Sequence, residues 1–69
     1  MKKVLGLTER QREVLRLLTE GKRMKEAATI LNIRTRTVAF HKYRIMELLH
    51  AENDADLVRF AIRNCIIAL

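Results

Sequence analysis

Residues 22–49 read KRMKEAATILNIRTRTVAFHKYRIMELL, two helical patterns joined by a short turn. From Met24 to Leu31, residues Ala27, Ala28, Ile30 and Leu31 recur at helical spacing and form a packing face. The small alanines on that face let a second helix approach closely. Asn32 and Ile33 make the turn, and a longer helix begins near Thr35 and runs to about His50. At about 100° per residue, Val38, His41, Ile45, Leu48 and Leu49 gather on its core-facing side. Arg36, Ala39, Phe40, Tyr43 and Glu47 point the other way, with Arg44 at the border. Thr35 and Thr37 open this helix with hydroxyls that either cap it or donate to a phosphate.

Charge singles out the same stretch. Between Lys22 and Arg44 lie seven basic residues (Lys22, Arg23, Lys25, Arg34, Arg36, Lys42 and Arg44) and one acid, Glu26. That excess equals the whole formal charge of +6, and the rest of the chain is balanced. A solvated surface scatters both signs, as Glu9 to Glu20 does, whereas concentration in one stretch marks a binding face for an anionic partner. Phe40 and Tyr43, two of only three aromatics, fall on the wet side of the long helix, where exposure is costly unless something covers them. Either they pack elsewhere in the same domain, or this face enters the major groove of DNA. In the second reading Arg36 and Arg44 reach phosphates or guanine edges, while Phe40 and Tyr43 meet thymine methyls or sugars. Two helices with a three- or four-residue turn, the second basic on its outer face, form a helix-turn-helix.

Two further helices flank the pair. Thr8 and Gln11 make a Thr-x-x-Gln capping box, Leu7 is placed to staple onto the first turn, and Val14, Leu15, Leu17 and Leu18 follow at helical spacing. Gly21 suits the left-handed residue that ends this helix. The last helix starts after Asn53, a good N-cap, with Asp54 and Asp56 in its first turn. The expected fold is all-α, with four helices near 8–20, 24–31, 35–50 and 54–66 and a central helix-turn-helix. Residues 1–6 read as a flexible lead-in and 7–69 as one domain. The last helix carries more apolar surface than one core stripe needs, so Val58, Ile62, Cys65 and Ile66 are expected to form a homodimer contact, the rival being a tail packed back on the first helix.

Sixty-nine residues make one small domain, with little room for an enclosed catalytic site. One Cys excludes a disulfide framework and a Cys-based zinc site, and Cys65 reads as a small apolar residue. The sequence contains neither a membrane span nor a signal peptide, and reads as cytoplasmic. His41 lies on the core side and is expected to bond a backbone carbonyl. His50 has no acid or thiol at ligand spacing, and Glu26 has no second acid or nucleophile beside it. No enzyme activity, cofactor or metal is therefore expected. Two rivals to a DNA binder stand open: a basic module docking onto an acidic protein, and a small helical RNA-binding domain.

Several separated pieces also resemble the DNA-binding domain of the LuxR/FixJ (GerE-like) family of bacterial transcription regulators. These are Leu7-Thr8 with Arg10 and Glu13-Val14-Leu15, Glu20-Gly21, Lys25-Glu26-Ala27-Ala28, Leu31-Asn32-Ile33, Thr37-Val38-x-x-His41 and Ala55-Asp56-Leu57-Val58. The resemblance implies a four-helix domain that binds double-stranded DNA, with the third helix in the major groove and the fourth as dimer surface. It allows RNA polymerase as a further partner, and implies neither a membrane nor a small molecule for this segment. It puts base reading on Ala39, Phe40 and Tyr43. Phosphate contacts fall to Lys25, Thr35, Arg36, Thr37, Lys42 and Arg44. Four positions depart from the family pattern: Met24 and Arg34 replace usual helix-capping residues, Leu48 a usual Lys, and Asp54 a usual Arg. Each lost cap is worth about 1 kcal/mol.

Overall fold

The computed structural model describes residues 6–64. Four helices form there: α1 (Glu9–Thr19), α2 (Met24–Leu31), α3 (Thr35–Leu49) and α4 (Asp54–Arg63). The fold is the expected all-α domain with α2 and α3 as the helix-turn-helix. The expected bounds differ from these mainly at cap residues: Thr8 caps α1, and His50 ends α3 in the left-handed region at φ +55°. The lead-in over residues 1–5 and the last turn expected over 65–66 lie outside the described residues.

Local chemistry fixes each boundary. The Thr8 hydroxyl accepts from the Gln11 N–H at 3.1 Å, and the Gln11 side chain accepts from the Thr8 N–H at 2.9 Å. Both halves of the capping box are thus made. Gly21, at φ +96°, turns the chain after α1. Asn32, at φ +57°, ends α2 and donates its N–H to the helix's last carbonyls, so the tight turn rests on one of the few residue types that tolerate this geometry. At α4 the Asn53 side chain accepts from the Asp56 N–H at 2.9 Å.

The caps of α2 and α3 correct one detail of the sequence reading. Arg23, not Met24, stands at the cap of α2, and Glu26 accepts from the Arg23 backbone N–H at 2.8 Å, supplying half of a capping box. Arg34 caps α3 with no side-chain bond, as its replacement of a capping residue implies.

α1 and α3 each pack against all three other helices. Between them lies a wholly apolar core of Leu7, Val14, Leu15, Leu17, Ala27, Ala28, Val38, Ile45, Leu57 and Ala61. Three core expectations fail. Ile30 is 55% exposed, since it sits about 100° round α2 from the centre of Ala27, Ala28 and Leu31, beyond the side its neighbours cover. Leu48 is 42% exposed because Met46, on the opposite flank of α3, packs against the core at that end. The Nδ1 atom of His41 is buried without a hydrogen-bond partner, so the expected backbone-carbonyl bond is not made there. Its ring instead meets Phe40 edge-on, with centroids 5.9 Å apart.

Candidate nucleic-acid interface

Five cations surround the start of the helix-turn-helix and of its second helix. Lys22, Arg23, Lys25, Arg34 and Arg36 are all exposed, and none forms an ion pair with a described residue. Three arginines elsewhere behave differently. Arg10 and Arg59 each pair with an acid on their own helix, at 3.7 and 2.7 Å, and Arg16 with Glu20 at the end of α1, at 3.9 Å. Those pairs lie at helical spacing and contribute only a few tenths of a kcal/mol each. They nonetheless cancel charge locally, whereas these five cations keep theirs.

The topology brings several of these cations together. Lys22 and Lys25 border one shallow depression with Glu26, Thr29 and Ile30. Lys22 and Arg23 also rim a groove of about 410 Å³, which Lys42 of α3 and Val58 of α4 line from the other side. Lys42 is the one cation of the expected phosphate ligands turned away from open solvent. Its Nζ lies 3.2 Å from Asp54 Oδ1 and its side chain is only 19% exposed, tying α3 to the first turn of α4. Sequence reasoning missed this pair, because its partners stand in different helices and no periodic spacing links them.

Along α3 the outward strip is as spacing predicts. Arg36, Phe40, Tyr43 and Glu47 are exposed and Ala39 is half-buried. Phe40 is 62% and Tyr43 60% exposed, so neither ring packs into the domain. Thr35 is exposed and Thr37 half-buried, in a first turn that holds no acid and no side-chain cap. The positive end of the α3 dipole is therefore left open beside Arg34 and Arg36, an arrangement favourable to an anion. Arg44 is exposed but held by Glu47 at 3.3 Å.

The residues expected at a dimer surface divide. Val58 and Ile62 are half-buried on α4, while Cys65 and Ile66 lie outside the described residues. Among the described residues no cluster of His, Cys, Asp or Glu could hold a metal. No described helix is long and apolar enough to cross a membrane.

Fold and surface together define a class: a helix-turn-helix domain whose second helix offers two exposed aromatics beyond a first turn flanked by unpaired cations. Comparison with known proteins makes it specific. The model for bacterial regulatory proteins of the luxR family matches residues 5–61, and the chain belongs to that family. It is thus a helix-turn-helix domain of the DNA-binding kind, in a family of bacterial regulatory proteins. Over 57 residues it is 37% identical to the uncharacterized response regulatory protein YgeK of Escherichia coli, covering 83% of this chain and 39% of that one. It is 40% identical over 53 residues to the transcriptional regulatory protein UhpA of Escherichia coli (77% of this chain, 27% of that one). With the response regulator UvrY it shares 31% over 59 residues (86% and 27%). The chain therefore spans at most about two fifths of the length of these relatives. No solved structure matches it.

Proposed function

We propose that this chain binds double-stranded DNA sequence-specifically as a transcription regulator in the cytoplasm, with α3 in the major groove and two copies meeting through α4. The observation that carries the reading is a solvent-exposed aromatic strip with the unpaired Arg34 and Arg36 at its N-terminal end, and three more unpaired cations around the start of α2. Phosphates are the polyanion that such a cluster fits, and the strip is what lies nearest the bases once the cations are engaged. In this reading Lys22, Arg23, Lys25, Arg34 and Arg36 hold the backbone, and Thr35 and Thr37 donate to phosphate at the start of α3. Arg44 and Lys42 join them on leaving their acidic partners. Ala39, Phe40 and Tyr43 face the bases. Val58 and Ile62, with Cys65 and Ile66, form the contact between copies.

Binding of a preferred duplex and of its scrambled counterpart, followed across a salt series, tests this. Log affinity should fall with log salt at a slope of about −4.5 per copy from these five cations, steepening toward about −6.3 as Lys42 and Arg44 join them, while the preference for one sequence persists. Lys25→Ala is expected to weaken every duplex alike and to make the slope shallower by about one. Phe40→Ala and Tyr43→Ala should instead alter which sequence is preferred. Equal affinity for all duplexes overturns the reading and returns weight to an acidic protein or an RNA as partner.

A further inference from the structure

The outward strip of α3 climbs through Arg36, Ala39, Phe40, Tyr43 and Glu47 in steps of one, three or four residues, and side chains three or four apart lie about 5–6 Å from one another at Cβ. It is poor in groups that read base edges by hydrogen bonding. The helix TRTVAFHKYRIMELL contains no Asn or Gln, the side chains that pair bidentately with adenine. Its single acid, Glu47, and Arg44 occupy each other, and Lys42 is turned to Asp54. Arg36, in the first turn, is the one basic residue of α3 outside those ion pairs. What faces outward in the middle of the helix is carbon: the Phe40 ring, most of the Tyr43 ring and the edge of the Ala39 methyl. The edge-on contact with His41 braces the Phe40 ring in that position.

The major groove presents donors and acceptors on every base pair, but only one apolar group, the C5-methyl of thymine. We infer that the Ala39–Phe40–Tyr43 strip reads C5-methyl groups: thymine in ordinary DNA and, wherever cytosine is methylated at the same ring carbon, 5-methylcytosine. The inference rests on the proposal that α3 lies in the major groove, and it names the chemistry recognised there. The occupant is DNA rather than an apolar protein surface because Arg34 and Arg36 flank the strip at its N-terminal end with uncancelled charge.

The test begins by selecting preferred duplexes from a random pool with the whole chain. If no sequence is preferred, the groove reading and this inference fall together. In the selected duplex each thymine is then replaced singly by deoxyuridine, which removes the methyl and keeps every hydrogen-bonding atom. At one or more thymines the expected loss is about fourfold, the equivalent of about 0.8 kcal/mol per buried carbon. Phe40→Ala, at an exposed site, should bind the thymine and deoxyuridine forms equally. Placing cytosine at the same position weakens binding, and 5-methylation should recover about fourfold. Equal affinity of the native chain for all the deoxyuridine duplexes overturns methyl reading. Should replacement of guanines by 7-deazaguanine then abolish binding, the groove reading survives, with the arginines as its readers.

Discussion

Leu15 shows no exposed surface, nor do Val14, Ala27, Val38 and Ala61 around the same core. Cutting Leu15 back to Ala removes buried methyls and leaves a cavity, a change that costs about 2–5 kcal/mol. Domains hold only about 0.05–0.15 kcal/mol per residue, so that loss is a large part of the total stability of this one. Leu15→Ala should therefore lower the urea midpoint severely, or leave the chain unfolded by circular dichroism at 25 °C. A shift within the scatter of surface variants would mean that Leu15 is not in the core. At this scale the buried residues were legible wherever the apolar stripe was narrow, as at Leu15 or Val38. Ile30 and Leu48 were misread because a stripe derived from one helix does not say where its neighbours stop. Lys42 was read as a free cation since nothing local announces Asp54.

Helix ends were the most legible elements, because a cap is written in consecutive residues. Thr8 with Gln11 and Asn53 with Asp56 both form as their spacing implies. Less visible was how much Asp56 does. Its carboxylate accepts from the Glu52 N–H at 2.9 Å and from the Arg59 guanidinium at 2.7 Å, so the start of α4 is clasped from both sides. These bonds, that from the Glu52 backbone N–H foremost and then that from Arg59, hold the carboxyl below the ordinary aspartate value of 3.8. A lowered folded-state pKa favours the folded chain above the unfolded value, and the gain disappears as pH falls through the folded one. Asp56→Asn should thus lower the melting temperature at pH 7, with the gap to the native chain closing as the solution is acidified below pH 3.8. A gap that stays constant down to pH 2 would show that the ionised carboxylate is not the stabilising species.

At the scale of the whole molecule, the Cα trace spans 27 × 25 × 24 Å. One helical turn of DNA is about 34–36 Å long, so one copy on the groove covers less than a turn. In the proposed dimer, two copies on successive half-sites would leave a gap that side chains of one helix each can bridge, the size of contact that Val58 and Ile62 of α4 would supply. Charge was legible at this scale from a count along the chain, since the whole net excess lies between Lys22 and Arg44. Its pairing was not. The acids that neutralise Arg44 and Lys42 are set by how helices turn and meet, and only the fold shows which five of the seven cations between Lys22 and Arg44 remain without a described partner.

Those five cations also repel one another, since the folded chain confines them within a domain 27 × 25 × 24 Å across whether or not DNA is present. Added salt shortens the reach of that repulsion to about 10 Å at 0.1 M and less above it. The same salt should then act on this domain in opposite senses. Between 0.05 and 0.5 M sodium chloride the melting temperature of the free chain should climb while its hold on DNA weakens. Heparin, which has no sequence, should raise the melting temperature at low salt as well. A melting temperature indifferent to both would mean that the cluster carries no strain. If it responds, thermal stabilisation by a nucleic acid will report charge neutralisation, and only competition between duplexes will report which bases are read.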